Sequence, residues 1–434
     1  MRKYDSYKDS GIEWIGEIPK HWSVSRLKFN SKIKTGYTPP MDNSENYSDD
    51  GMIWVKPDNL EYFKPILDSK EKISPLGIKE QNIIAKDSVL LCCIGSIGKF
   101  GIAGLDLLTN QQICGITFNN SLLPSYGKYL VYVTEEELNK YANGNVVRIL
   151  NATSLGNIEY PIPVIEEQTA IANYLDQKTN QIDDLIAKKE RLIQLLEEER
   201  TAIINQAVTK GLDPTVPMKD SGIEWLGEIP EHWEVKRMNF ISTKIGDGLH
   251  GTPTYVEESV FPFINGNNIG EGVIIITDRT KFVSEEEYKS NQKTFTPNTL
   301  LMSINGTIGN LAYYNGESIM LGKSVAYINL ESNVNKEFIY YYLKSEIAKD
   351  YINMELSGST IKNLSLYSIN KTPIPYPKKE EQIEIVNFIK TKVVEIGKII
   401  SKTQQEIELL KEYKTALISE VVTGKVDVRN EKLN

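Results

Sequence analysis

The sequence predicts an α+β protein in two tandem halves, each a domain of mixed short strands and helices that runs into one long helix. Two repeated blocks and one periodicity carry that prediction. Residues 8–29 read KDSGIEWIGEIPKHWSVSRLKF and residues 219–240 read KDSGIEWLGEIPEHWEVKRMNF, with 16 of 22 positions identical at an offset of 211. Residues 165–213 return at 379–427 with an offset of 214, so that Glu167-Gln168 answers Glu381-Gln382 and Thr201-Ala202 answers Thr415-Ala416. A period above 200 residues is too long for a solenoid repeat or a propeller blade, so the chain reads as a duplicated domain. The periodicity lies in the second block, where apolar residues recur every seven positions.

Between the repeated blocks, residues 30–160 and 241–372 differ in content but keep their punctuation. Gly95-Ser96-Ile97-Gly98 stands 211 residues before Gly306-Thr307-Ile308-Gly309, and each variable part closes on Pro-Ile-Pro, at 161–163 and 373–375. Short apolar runs at 53–55, 88–94, 113–118, 273–277, 300–304 and 324–330 are separated by Gly, Pro, Asn and Asp clusters, the pattern of short strands. Amphipathic helix is expected at 126–142 and 336–354.

Residues 164–210 contain neither Gly nor Pro. They leave room for about 45 residues of helix, roughly 65 to 70 Å at 1.5 Å per residue. Pro163 precedes this stretch and Gly211 follows it, the expected start and stop punctuation. Counted in sevens, Leu175, Ile182, Lys189, Leu196 and Ile203 align, as do Ile389, Ile396, Thr403, Leu410 and Leu417 in the second copy. Leu185, Ile186, Leu192 and Ile193 are expected to widen the first stripe, and Ile399, Ile400 and Ile407 the second. The polar rung at Lys189 and Thr403 interrupts both stripes at one place, a device that can fix register. Packing of each helix on its own domain would bury part of these faces; pairing of the two as an antiparallel coiled coil is the preferred expectation.

Composition bounds the function. With 49 Lys plus Arg against 58 Asp plus Glu the net charge is −9, and 40% hydrophobic with 25% charged residues is the balance of a folding chain. The N-terminal residues carry no apolar core of a signal peptide, and the longest apolar runs, such as 89–94, are about a third of a membrane span. Three cysteines without a C-x-x-C pair fit a reducing cytoplasm. An acidic total argues against a protein that coats nucleic acid. Local charge differs: residues 20–34 hold Lys20, Arg26, Lys28, Lys32 and Lys34 with no acid, and Trp22 and Phe29 lie among them, which suits a solvated face and a nucleic-acid contact equally.

Catalytic signatures are absent from the sequence. The phosphate cradle G-x-x-x-x-G-K-[ST] is missing, and Gly95 to Gly98 followed by Lys99-Phe100 fails its spacing. Asp58, Asp68 and Lys70 could form a metal-dependent nuclease site, but the second half has Asn265-Gly266-Asn267-Asn268 near the corresponding place, so a surface turn is the simpler reading. No Asn-Pro-Pro-aromatic element or glycine-rich post-strand loop marks an amino-methyltransferase. His21 and His232 sit beside Trp22 and Trp233 at one repeat position and read as structural. His250 lies in a Gly-rich loop, 246–253, without a second metal ligand at the usual spacing.

Short polar side chains on a rigid frame, with Lys and Arg nearby, are what reading of base edges requires. In the first half the candidates are Lys34, Thr35, Gly36, Thr38, Lys56, Asn59, Ser96 and Lys99. In the second they are Asp247, His250, Thr252, Asn265, Asn267, Asn305, Thr307 and Lys323. Each alone reads as well as an ordinary exposed turn residue; the pattern favours nucleic acid. Neither catalytic nor metal-ligating residues are assigned.

Residues 10–22, their second copy at 221–233, the Gly-x-Ile-Gly turns at Gly95 and Gly306, and the Pro-Ile-Pro to Glu-Gln junctions at 161–168 and 373–382 resemble the specificity (S) subunit of type I restriction-modification enzymes. The resemblance covers essentially the whole chain in the family's order. It implies target-recognition domains at 1–163 and 212–377, separated by long spacer helices at 164–211 and 378–434. Each domain would read half of a bipartite double-stranded DNA site, and the helix pair would set the number of unread base pairs. The loops at 35–39, 247–253, 95–98 and 306–309 would lie close to DNA. Two methyltransferase subunits and the restriction subunits are the implied partners. S-adenosylmethionine, ATP and Mg are then expected on those partners and no cofactor on this chain, which would be non-catalytic, cytoplasmic and without contact to membrane. Competing readings are a nuclease using Asp58, Asp68 and Lys70, a coiled-coil scaffold or adaptor, and a specificity subunit serving a methyltransferase-only or other defence system.

Overall fold

The structure is a computed structural model that describes residues 2–79, 82–144, 147–358 and 362–431. The chain divides into two compact units, residues 1–189 with 405–434 and residues 190–404.

In the first unit the repeated block forms a hairpin, Tyr7–Asp9 against Glu17–Pro19, and then a strand, Ser23–Arg26, that pairs antiparallel with Glu159–Ile162. That pairing holds the first repeated block against Glu159–Ile162, the segment that leads into the second block at 165, which explains why the two blocks are duplicated together. They are one structural module, and the variable residues are looped out between them. Pro161 is tolerated because this sheet has only two strands and needs no further ladder donors. The variable part builds a five-stranded sheet in which Ser31–Thr35 and Val89–Cys92 flank Ile113–Phe118, both antiparallel to it, with Phe100–Ala103 and Pro65–Ile66 beyond. A second sheet sets Leu108–Thr109 parallel to the end of Tyr47–Val55.

The second unit repeats this plan with other residues. Glu234–Arg237 pairs with Pro373–Tyr376, and Ser242–Asp247 and Thr299–Ser303 flank Val325–Leu330. Met320–Leu321 runs parallel to the end of Phe261–Ile264 as Leu108–Thr109 does to Tyr47–Val55. The strands expected at 53–55, 88–94, 113–118, 300–304 and 324–330 are present; at 273–277 only Val273–Ile274 is extended in a ladder.

The two expected amphipathic helices are each broken. Pro124–Val133 is followed by Glu135–Leu138, and Lys336–Lys344 by Glu346–Met354. The breaks fall on hydroxyl residues that compete for backbone groups. Thr134 Oγ1 donates to the Val131 carbonyl at 2.8 Å, and Ser345 Oγ accepts from Ala348 N at 3.2 Å, starting a new helix.

The long helices run Ile165–Lys210 and Lys379–Val422. Within the first unit Leu175 and Ile182 share a core with Leu417, Ile418 and Val421, while Asp183 pairs with Lys414 at 2.7 Å and Lys189 with Glu406 at 2.5 Å. Rising numbers on one helix meet falling numbers on the other, so the segments are antiparallel. The second unit shows the same sense: Leu196 packs on Ile396 and Ile400, and Ala207 and Val208 share a core with Ile385 and Ile389.

The buried stripe follows an alternating four-three spacing, 182, 186, 189, 193, 196 and 200 on the first helix and 396, 400, 403, 407 and 410 on the second. Ile203 and Leu410 are half-buried on it. Leu185, Leu192 and Ile399 were expected to widen this stripe, yet they are 42%, 42% and 47% exposed. Each lies one residue, about 100° of helix, before a seam position and so faces outward. The polar rung is satisfied: Lys189 pairs with Glu406, and Thr403 Oγ1 donates to the Ile399 carbonyl at 2.8 Å.

Candidate nucleic-acid interface

The frame of each unit is locked by the repeated Glu-Gln pair at the start of its long helix. Glu167, buried, accepts the Trp22 indole N–H at 2.5 Å, lies 2.9 Å from His21 Nε2 and receives Arg429 Nη1 at 3.1 Å. Gln168 satisfies all its buried amide needs: its oxygen accepts from Leu123 N, and its nitrogen donates to the Ser121 and Pro163 carbonyls. Glu381 repeats the first role with Trp233 and His232, both at 3.0 Å, and Gln382 the second with Asn335 N and the Pro377 carbonyl. Both histidines therefore serve the frame.

From that frame four loops of the first unit converge. Strands Ser31–Thr35 and Val89–Cys92 both run against Ile113–Phe118, so their C-terminal ends reach the same sheet edge as the loop 110–112 that enters it. Tyr37 N donates to the Thr109 carbonyl at 2.7 Å, Asn110 N to Val55 at 3.0 Å and Cys93 N to Gln112 at 2.7 Å. Lys99 Nζ reaches the Pro57 carbonyl at 2.9 Å, and Thr38 Oγ1 bonds Gln111. Thr35 to Thr38, Lys56 to Asn59, Ser96 to Lys99 and Asn110 to Gln112 thus form one surface, although they lie up to 77 residues apart.

The second unit brings together the equivalent loops. Leu249 N donates to the Leu321 carbonyl at 2.7 Å, Gly266 N to Ser324 Oγ at 2.9 Å, and Thr307 Oγ1 to the Gly266 carbonyl at 3.1 Å. Asn265 accepts from Ser324 Oγ at 3.1 Å, and Asp247 Oδ2 lies 2.8 Å from His250 Nε2.

Glycine has a definite use here. A Cβ on Gly36 would stand 2.1 Å from the Asn110 carbonyl oxygen, and one on the matching Gly248 2.0 Å from that of Leu321, so only glycine lets the first loop cross its neighbour. Gly36 is thereby accounted for by its own protein. Gly95 (φ +82°) and Gly306 (φ +76°) take the left-handed conformation that turns the third loop back.

The candidates differ in what remains for a ligand. Lys34 Nζ donates to the Ile83 carbonyl at 2.5 Å, and Lys56 Nζ pairs with Glu71 at 2.6 Å and lies 4.6 Å from the Trp54 ring. Asn59 accepts from Lys56 N at 2.9 Å, and the Asn305 backbone bridges to that of Asn363. Thr35, Ser96, His250, Thr252, Asn267, Thr307 and Lys323 are exposed at the loop surface. Of the proposed nuclease residues, Asp68 pairs with Lys72 at 3.2 Å, and Asp58 lies in the turn Pro57–Asn59. Among the described residues no group of three or more His, Cys, Asp or Glu side chains is placed to hold a metal ion, and no helix is long and apolar enough to cross a membrane.

Two copies of this site on one chain agree with two matches to one family. Residues 19–195 and 230–409 each match the Type I restriction modification DNA specificity domain. The chain belongs to that family. Among similar specificity subunits, the type I restriction enzyme MjaIX specificity subunit of Methanocaldococcus jannaschii is 26% identical over 95% of both chains. The EcoKI specificity subunit of Escherichia coli is 23% identical over 86% of this chain and 82% of that one. In fold, the HsdS subunit from Thermoanaerobacter tengcongensis is similar with a TM-score of 0.58 at 16% identity, over 94% of this chain and 98% of that one. A chain of the type I R-M system solved for its complex assembly and conformational transition gives a TM-score of 0.72 at 16% identity, over 94% and 99%.

In both specificity domains the structure adds a residue that sequence reasoning missed. Asn143 bridges to Ile149 and Ile94 to Ile149, which sets exposed Arg148 beside the Gly95 turn, with Gly95 N donating to the Arg148 carbonyl at 3.4 Å. The second unit pairs Ser357 with Asn363 and Asn305 with Asn363, setting exposed Lys362 beside the Gly306 turn. The signal was a shared spacing, Gly144 to Arg148 and Gly358 to Lys362, at the 214-residue offset of the helices.

Proposed function

We propose that each unit reads one half of a bipartite double-stranded DNA site and that the chain directs methyltransferase and restriction subunits to it. The observation that carries this reading is the convergence of four loops on the same sheet edge in both units, with different exposed side chains on one frame. A shared frame with variable contents is what two unrelated half-sites require. Thr35, Ser96 and Arg148 in the first unit, and His250, Thr252, Asn267, Thr307, Lys323 and Lys362 in the second, are the groups for base edges and phosphates.

The chain itself performs no chemistry in this reading. Two methyltransferase subunits hold S-adenosylmethionine and modify an adenine in each half-site, which must be turned out of the stack to be reached. Restriction subunits hold ATP and Mg. The sequence supports that division, because it lacks a phosphate-cradle motif. The reading assigns the chain to the cytoplasm, which three cysteines without a C-x-x-C pair fit.

Long-read methylation sequencing of cells that express this chain with its methyltransferase subunit tests the reading. The expected result is a bipartite methyladenine motif that disappears when this chain is omitted. A soluble complex that produces no motif would overturn it in favour of a scaffold.

A further inference from the structure

Each second recognition loop is followed by a further loop that returns to the same edge. In the second unit the chain leaves that edge after Asn268 as Ile269–Gly270, turns, and comes back as Val273–Ile274, paired antiparallel with it. It ends where it began: Ile275 N donates to the Asn268 carbonyl at 2.8 Å and Asn268 Nδ2 to the Ile275 carbonyl at 2.9 Å. Asn268 Nδ2 also reaches Thr280 Oγ1 at 3.2 Å, and Thr277 N donates to that hydroxyl at 2.9 Å. Residues 275–280 are thereby a closed loop fastened to the neighbour of Asn267.

The first unit does the same with other bonds. Trp54 N donates to Ser69 Oγ at 3.1 Å and to the Glu71 carbonyl at 3.3 Å, and Glu71 pairs with Lys56 at 2.6 Å. Residues 67–71 therefore lie against the start of the loop Lys56 to Asn59. In both units the turn between the two loops is strained. Phe63 has φ +61° and Glu271 φ +45°, each just before the residue whose carbonyl accepts from Ile102 N or Tyr313 N, positions related by the 211-residue offset. Such a backbone persists only where its surroundings fix it. Here the Phe63 ring centre lies 4.9 Å from that of Tyr129, and Glu271 pairs with Lys344 at 3.1 Å.

What these loops present is apolar. Val273 to Ile276 is a run of four aliphatic residues of which none is buried; Ile276 is 52% exposed, and Leu67 in the first unit 63%. A single exposed aliphatic residue is ordinary, but a run of them beside a polar site gains nothing for the fold. Three residues after each stands an exposed cation, Lys70 after Leu67 and Arg279 after Ile276. Duplex DNA offers an apolar group on a base edge, the thymine C5-methyl in the major groove, with phosphates along the groove's rim. The acids nearby are offset: Asp68 pairs with Lys72 at 3.2 Å and Glu71 with Lys56, and Asp278 adjoins Arg279 in sequence.

We infer that Ile276 and Leu67 are specificity-determining residues, each packing on a thymine methyl of its own unit's half-site, while Arg279 and Lys70 hold the phosphate backbone alongside. The inference rests on the function proposed above and adds apolar contacts to its polar ones. A half-site that holds a methylated adenine holds at least the thymine opposite it.

The test uses the full chain with its methyltransferase subunit and duplexes that carry the bipartite motif. Thymines of each half-site are replaced one at a time by deoxyuridine, which lacks only the methyl. For the unaltered chain, one replacement in each half-site should weaken binding about fourfold, the effect of one methyl group taken out of water. Ile276→Ala should lose that response in one half-site alone, and Leu67→Ala in the other, with unchanged melting temperatures because both side chains are exposed. Arg279→Ala and Lys70→Ala should keep the response and each lower the slope of log affinity against log salt by about 1. A chain indifferent to every replacement overturns the inference, as do Ile276→Ala and Leu67→Ala variants that keep the full response. So does an Ile276→Ala chain that keeps its affinity for DNA but loses methyltransferase binding or self-association, which would make the patch a protein contact. If the unaltered complex does not prefer the motif duplex to a scrambled one, the proposed function fails, and this inference with it.

Discussion

At the scale of single residues, stability concentrates where a buried polar group has several dependants. Glu167 holds the Trp22 indole, His21 and Arg429 together. Its removal would leave a buried N–H without an acceptor, which costs about 1–3 kcal/mol. Glu167→Ala is therefore expected to destabilise the chain more than Glu381→Ala in urea unfolding, since Glu381 serves Trp233 and His232 alone among the contacts described. Asp427 adds a pH dependence. Arg429, whose guanidinium donates to it at 2.8 to 2.9 Å, holds its carboxyl below the ordinary value of 3.8. A depressed folded pKa means that the unfolded chain binds the proton first, so this contribution is complete above that ordinary value and is lost as pH falls through the folded one. Asp427→Asn should flatten the acid limb of the stability curve below about pH 4 and leave the neutral region's pH dependence unchanged. If the acid limb keeps its slope, other carboxylates set it.

At the scale of elements, what could be read in advance was whatever the duplication recorded twice. Each long helix announced itself by period, the first also by its lack of Gly and Pro, and Glu167-Gln168 stood out because Glu381-Gln382 repeats it. The helix breaks at Thr134 and Ser345 were not legible, because a hydroxyl bonded to its own backbone leaves the hydrophobic period intact. The loop surface was legible only as a list of polar residues. Its assembly depends on the parallel pairing of Thr109 with Val55 and of Leu321 with Ile264, two-residue contacts that no local pattern encodes. Arg148 and Lys362 were missed for a related reason: isolated bridges rather than ladders carry them to the Gly turns. As phosphate contacts they should act without regard to sequence. Arg148→Ala and Lys362→Ala are each expected to lower the slope of log affinity against log salt by about 1 while leaving the methylated motif unchanged. A changed motif would make them base readers. The seam is tested at Leu196, 8% exposed against Ile396 and Ile400. Its replacement by Ala should cost about 2–3 kcal/mol, the low end for a core leucine because the site is not fully enclosed.

At the scale of the whole molecule, the proposed function makes the target a pair of half-sites with an unread interval, one half-site for each of two specificity domains on one chain. The duplication was plain from the sequence, and if the helices set that interval, their length and register are what an insertion must change. The seam alternates four and three residues on both helices, so an insertion preserves it only if it adds whole heptads to both. Seven residues lengthen a helix by about 10 Å, close to the rise of three base pairs at 3.4 Å each. Inserting one heptad after Leu192 and one after Lys402 should therefore leave both half-site sequences unchanged and lengthen the unread spacer by about three base pairs in methylation sequencing. Inserting four residues instead turns the apolar stripe out of register and should abolish the motif altogether. A spacer that stays constant through the heptad insertion, with both half-sites still methylated, would show that the interval is set by the recognition units and not by the helices.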